Sequence, residues 1–171
     1  EERNSFLLRL KELYIANAEE IALIISRETG RPLWETRSEA ASLATKIDVT
    51  LNHSMKLIQE KIVEEALPGS RGRLLYRPRG VLTVLGPFNF PTHLANGHFI
   101  PALATGNTVV FKPSEFTPAS GQILAQMIYR AGFPKGVFNL VHGKADVGER
   151  LTMNENVDGI LFTGSYEVGF K

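Results

Sequence analysis

Residues 81–115 read VLTVLGPFNFPTHLANGHFIPALATGNTVVFKPSE, and the succession of textures in this stretch decides the fold. Val81-Leu82-Thr83-Val84-Leu85 is a short, nearly continuous apolar run rich in β-branched residues, which predicts a buried strand. A helical stretch from Phe90 to Thr105 follows, and Asn107-Thr108-Val109-Val110-Phe111 forms a second strand of the same kind. The alternation continues outward. Thr117-Pro118 opens a helix, Thr as N-cap and Pro at the first position, that runs to Ala131-Gly132. Gly136 to Val141 is the third strand, Ala145 to Met153 a helix, and Gly159 to Thr163 the fourth strand. Apolar strands separated by helices predict an α/β, Rossmann-like, doubly wound parallel sheet with right-handed crossovers. Ligands of such a sheet gather at the carboxyl ends of its strands.

Upstream of the sheet the period changes. Phe6, Leu10, Leu13, Tyr14, Ile21, Ile24 and Ile25 recur at helical spacing until Thr29-Gly30-Arg31-Pro32. Leu43, Ile47, Leu51, Met55, Ile58 and Ile62 repeat that spacing over a second long stretch from Leu33 to Ile62. Residues 1–62 are therefore expected to form a helical hairpin. Pro68-Gly69-Ser70-Arg71-Gly72-Arg73 is a turn signal, and Leu74 to Gly80 is expected to be a basic, exposed arm or edge strand. This divides the chain into the hairpin (1–62), an arm or linker (63–80) with a possible oligomerisation strand, and a βαβαβαβ dinucleotide-binding segment (81–171), incomplete at its end.

Composition narrows the partners. Nineteen Lys plus Arg against eighteen Asp plus Glu leave +1, so no global field points to nucleic acid or an acidic membrane, and a small-molecule partner is expected. No apolar run approaches the length of a membrane span, and Glu1-Glu2-Arg3-Asn4 resembles no signal or transit peptide, which predicts a cytoplasmic protein. The absence of cysteine excludes disulfides, thiolate metal sites and a cysteine nucleophile within these residues. The chain opens without Met inside a helical pattern and stops at Phe170-Lys171 as a further helix begins, so it is expected to be a piece of something longer.

Each strand end admits a plain and a chemical reading. Gly86-Pro87-Phe88-Asn89-Phe90-Pro91 is either a strand-to-helix turn with Asn89 as N-cap, or a loop that holds a side-chain amide where it can donate to a developing oxyanion. Phe88 would then line a cofactor channel. Lys112 and Glu115, after the second strand, are either simply solvated or placed to bind ribose hydroxyls, the carboxylate repelling a 2′-phosphate and so favouring NAD over NADP. Gly164 and Gly169, after the fourth strand, permit a tight turn and close approach of backbone to a pyrophosphate, though their GxxxxG spacing is not the GxGxxG fingerprint.

GPFNFP, NTVVFKPSE, GVFNLVHG and FTGSYEVG, in this order on successive βα units, resemble the aldehyde dehydrogenase family. The resemblance covers essentially the whole chain. It implies that Asn89 helps form the oxyanion hole, that Lys112 and Glu115 bind the adenosine ribose, and that Gly164, Ser165 and Gly169 lie against the cofactor's pyrophosphate and ribose with Val168 near the adenine. Phe88 stands where the family commonly has Trp, keeping an aromatic wall and losing the indole N–H. His93-Leu94-Ala95-Asn96-Gly97-His98 with Pro101-Ala102-Leu103 is similar to the family's succinylglutamic semialdehyde branch, which implies N-succinylglutamate 5-semialdehyde as substrate, arginine catabolism as setting and NAD as cofactor. The family mechanism needs a Cys nucleophile and a Glu base in a Glu-Leu-Gly-Gly segment; neither is in this sequence, so the chain alone is expected to be inactive and its parent a homo-oligomeric enzyme. The rival expectation is a nucleotide-binding or assembly module without chemistry.

Other residues carry less. His93 and His98 lie about 140° apart around a helix, which argues against a shared metal. Trp34 and Phe99 are expected to pack, and His142 and Lys144 receive no role.

Overall fold

The computed structural model describes residues 2–170. It begins with three helices, α1 (Glu2–Ala16), α2 (Ala18–Thr29) and α3 (Leu33–Asn52), where two were expected. The first expected helix breaks at Asn17, whose side-chain Nδ2 donates to the Leu13 carbonyl 2.7 Å away and competes with the helix ladder. Leu7, Leu10 and Tyr14 are buried on one side of the break and Ile21, Ala22 and Ile25 on the other. Helical spacing runs straight across the break, so periodicity could not mark it.

The second helix ends at Asn52, not Ile62. A 3-10 turn (Ser54–Ile58) keeps a three-residue spacing and so extends the apparent helical pattern, and then the chain becomes an exposed hairpin of β1 (Lys61–Leu67) and β2 (Ser70–Leu74). The expected strand from Leu74 is displaced upstream: the turn is at Pro68-Gly69, and residues 75–80 are not in a strand. Cross-strand pairs Arg71–Glu64 (2.9 Å) and Arg73–Glu60 (2.6 Å) lace the hairpin together.

The remaining chain alternates as the apolar runs required: β3 (Val81–Leu85), α4 (His93–Ala104), β4 (Thr108–Lys112), α5 (Pro118–Arg130), β5 (Phe138–Leu140), α6 (Ala145–Thr152), β6 (Gly159–Phe162) and α7 (Tyr166–Gly169). The four strands are parallel in the order β5-β4-β3-β6. Val81 to Leu85 pair residue for residue with Thr108 to Lys112, and Leu82 to Leu85 with Gly159 to Phe162. From β3 the chain moves outward through β4 to β5, then crosses back to place β6 on the other flank of β3. The crevice at the carboxyl ends of β3 and β6 is thus the topological switch point, where open α/β sheets bind ligands.

The central strands, α4, α5 and the N-terminal helices share one core beneath it. Leu82, Val84, Val109 and Phe111 are buried, and Phe99 of α4 packs against Phe111 and Phe138 at centroid distances of 5.9 and 5.2 Å. The helical layer packs onto this core and is tied to it by a buried polar relay. Tyr14 Oη donates to Asn96 Oδ1 (3.2 Å), and Asn96 Nδ2 donates to the Leu43 carbonyl (3.2 Å), linking α1, α3 and α4. Burial pushes the Tyr14 hydroxyl well above the ordinary tyrosine range, keeping it a donor.

Candidate functional site

Helices that follow parallel strands start at the ligand edge, so their first N–H groups need partners there. The structure supplies them from the N-terminal helices. Glu39 of α3 is buried, and its Oε1 accepts Thr92 N–H (3.0 Å), Thr92 Oγ1–H (2.7 Å) and His93 N–H (3.1 Å) at the start of α4. Glu28 of α2 accepts Ala119 N–H and Ser120 N–H, each at 2.7 Å, at the start of α5. Two readings change as a result. Asn89 is not the cap of α4, because the helix starts at His93 with Thr92 in the capping position. Thr117 holds the capping position of α5, with Pro118 opening the helix, but its buried Oγ1 makes no hydrogen bond there, the Glu28 carboxylate having taken the amides. Protein carboxylates seal the starts of α4 and α5 and would repel a phosphate there.

On the β3 side of the crevice, Gly86 N–H donates to the Lys112 carbonyl (3.0 Å) and continues the sheet by one residue. The loop then carries Phe88 and Asn89 to the surface. Asn89 is exposed, and among the described residues its side-chain amide has no hydrogen-bond partner. Its carbonyl accepts from Arg31 Nη1 at 3.1 Å. Phe88 is 57% exposed and meets Phe116 edge to face at 5.9 Å, so two aromatic rings stand beside the strand ends with little of their faces covered.

Lys112, at the end of β4, is buried, and its Nζ donates to the Pro113 and Gly143 carbonyls at 2.8 Å each. An ammonium has three protons, so one remains for a ligand. Burial holds the Lys112 pKa below the ordinary lysine range, an effect that the nearby carboxylates of Glu115 and Asp146 oppose. Glu115 is exposed.

The turn after β6 is built around the Phe162 ring. A Cβ on Gly164 would come within 2.4 Å of this ring and one on Gly169 within 3.1 Å, so both glycines have a packing reason of their own. Ser165 caps the short α7, its Oγ accepting Val168 N–H at 3.4 Å, and Val168 is exposed. Glu167, fully exposed, has its pKa lowered by a backbone hydrogen bond and by the Ser165 hydroxyl.

The histidines separate. His93 Nδ1 lies 2.7 Å from Ser42 Oγ, while His98 Nε2 lies 2.8 Å from Thr163 Oγ1 and ties α4 to the root of the β6 turn. Among the described residues no three His, Asp or Glu side chains gather as a metal site. Burial first, and the Lys46 cation second, hold His98 below its ordinary value of 6.5. The unfolded chain then takes the proton more readily than the folded one. Stability from this site is full above the unfolded pKa and is lost as pH falls through it toward the folded value. His98→Gln should therefore flatten the loss of thermal midpoint on moving from about pH 7.5 to about pH 5.5; identical slopes in variant and wild type would rule out His98 as the group responsible.

Arg31, Glu39, Glu28 and Phe116 were not singled out from the sequence. Each acts on residues far along the chain, and none sits in a recognisable local pattern. An open hollow of about 540 Å³ beside α5, lined in part by Gln122, Tyr129, Arg130 and His142, lies at the β5 edge and carries none of the groups above.

A doubly wound parallel sheet whose loops gather at a switch point is the architecture with which open α/β proteins bind ligands at the carboxyl ends of their strands. The chain belongs to the aldehyde dehydrogenase family, which it matches over residues 1–171. It is 50% identical over 168 residues to N-succinylglutamate 5-semialdehyde dehydrogenase of Vibrio cholerae serotype O1, a match covering 98% of this chain and 34% of that protein. It superposes on an NAD-dependent aldehyde dehydrogenase from Sinorhizobium meliloti with a TM-score of 0.92 at 35% identity, covering 99% of this chain and 34% of the other. An NADP-dependent enzyme of E. coli gives 0.93 at 35% identity, with 99% and 35% coverage, so the backbone does not by itself choose between the two cofactors. The chain thus spans about a third of the length of these relatives.

Proposed function

We propose that this chain forms the first part of the cofactor-binding half of an NAD-dependent aldehyde dehydrogenase that oxidises N-succinylglutamate 5-semialdehyde to N-succinylglutamate. The observation that carries the reading is the switch-point crevice, flanked by the Asn89 loop and the Gly164 turn, in a chain half identical to a dehydrogenase of that substrate.

The residues present fit the cofactor. Lys112 has a proton to spare for a ribose oxygen, and Glu115 offers an exposed carboxylate on the same loop. Gly164, Ser165 and Gly169 would face the pyrophosphate, with Val168 against the adenine and Phe88 along the channel wall. When bound, NAD supplies the acceptor for the hydride that leaves the aldehyde carbon. What this chain adds to the chemistry is the Asn89 amide, which donates to the carbonyl oxygen as it gains negative charge under nucleophilic attack. The attacking thiol and the base that activates water lie outside these residues, so the chain alone is inactive. The exposed β1–β2 hairpin, with Ile62, Val63 and Leu67 uncovered, would serve contacts in a homo-oligomer.

Calorimetric titration of the full-length enzyme with NAD and with NADP tests the cofactor assignment. NAD is expected to bind more tightly, and Glu115→Ala to weaken NAD roughly tenfold or more, as loss of hydrogen bonds to a charged acceptor predicts. Unchanged NAD affinity in the variant would remove Glu115 from the ribose. A kcat/KM for N-succinylglutamate 5-semialdehyde no higher than for glutamate 5-semialdehyde would sink the substrate assignment.

A further inference from the structure

We infer that Arg31, held in place by Glu39, is a positioning residue for the Asn89 amide. This rests on the reading of Asn89 as the oxyanion donor, and it assigns a role in the reaction to residues of the N-terminal helices.

Arg31 occupies a turn that leaves it little freedom. Gly30, at φ 71°, ends α2 in the left-handed region that favours glycine, Thr29 Oγ1 accepts Arg31 N–H (3.3 Å), and Ser26 Oγ donates to the Arg31 carbonyl (2.7 Å). The side chain then reaches four groups. Nε meets Glu35 at 3.2 Å, Nη1 donates both to the buried Glu39 carboxylate and to the Asn89 carbonyl, and the guanidinium carbon lies 4.2 Å from the centre of the Phe90 ring. Glu39, with its side chain 1% exposed, holds Thr92 and His93 through its other oxygen.

The segment from Asn89 to His93 is therefore gripped at both ends by one ion pair. The Arg31 bond orients the peptide plane that follows Asn89, the Phe90 ring is stacked under the guanidinium, and the Glu39 bonds fix where α4 begins. Among the described residues the Asn89 side-chain amide has no protein partner, and its direction follows from the backbone that Arg31 and Glu39 hold. An oxyanion donor acts through its preset geometry, and a displacement of about 1 Å can cost on the order of 10²-fold in rate. Neither Arg31 nor Glu39 has to touch substrate for its loss to be felt there.

A double-mutant cycle in the full-length enzyme, read in the single-turnover rate of aldehyde oxidation, tests this. Arg31→Ala is expected to lower that rate roughly 10- to 100-fold with KM for NAD within about twofold of wild type. In an Asn89→Ala background, the same substitution should change the rate by less than about twofold, because the group it positions is gone. Arg31→Lys keeps a cation beside Glu39 but loses the planar stacking on Phe90, so it should restore thermal stability more than rate. If Arg31→Ala does not fold, Arg31→Lys carries the same cycle. Equal losses in both backgrounds, or no loss at all, would overturn the positioning role while leaving Asn89 intact. A wild-type rate in the Asn89→Ala single variant would overturn the oxyanion reading and this inference with it.

Discussion

Asn89→Ala in the full-length enzyme is expected to lower kcat by about 10²- to 10³-fold while leaving folding stability within about 0.5 kcal/mol of wild type. The two halves of this expectation come from the same observation. Asn89 is exposed and its amide makes no bond among the described residues, so truncation removes little that holds the fold together. The loop backbone is secured by its neighbours: Arg31 on the Asn89 carbonyl, which alanine keeps, and Glu39 on Thr92 and His93. What alanine does remove is the amide proposed above as the donor to the oxygen where negative charge develops. A preorganised donor in a dry site contributes about 2.7–4 kcal/mol to an acyl-type transition state. The NAD dissociation constant should stay near wild type, because Asn89 is not among the groups assigned to the cofactor. Pre-steady-state kinetics with the semialdehyde would check the rate and thermal unfolding the stability. A kcat within about threefold of wild type would show that the oxyanion is stabilised elsewhere.

The contrast between Asn89 and its supports shows what could be read from the residues alone. Local structure was legible. The four apolar runs became four parallel strands, and GPFNFP, FKPSE and FTGSYEVG proved to be the turns at their carboxyl ends. Such features depend on hydrophobic period and on residues a few positions apart. The break at Asn17 was missed because apolar spacing carries across it unchanged, and the end of α3 because a 3-10 turn with apolar Met55 and Ile58 imitates another helical turn. Capping misled for a different reason. Thr117 has the right side chain in the right place, yet Glu28, 91 residues away from Ala119, outcompetes a hydroxyl for the amides with its charge. Glu39 likewise acts across 53 residues on Thr92. A Glu on an amphipathic helix looks solvated until the packing of a second layer buries it, and no spacing within its own helix announces that.

Glu39→Ala is accordingly expected to be the most damaging of these substitutions to structure. The side chain is 1% exposed and satisfies three donors of Thr92 and His93 besides the Arg31 guanidinium. Removing it leaves two backbone amides and a hydroxyl without their acceptor and takes from Arg31 its buried partner, leaving only Glu35, a loss of roughly 3–5 kcal/mol by the behaviour of broken buried ion pairs. The damage should be local first. Hydrogen exchange in the full-length enzyme is expected to show amide protection in the first turns of α4 falling by about 10²- to 10³-fold, while β4 and β5 change far less. Glu39→Gln separates the two contributions, since its amide oxygen can still accept from Thr92 and His93 but no longer neutralises Arg31. It should retain much of the α4 protection and yet loosen Arg31 from the Asn89 carbonyl, so its loss of rate should exceed its loss of protection. Unaltered protection of α4 in Glu39→Ala would show that the helix start does not depend on this carboxylate, and the coupling of the N-terminal helices to the crevice would have to run through other contacts.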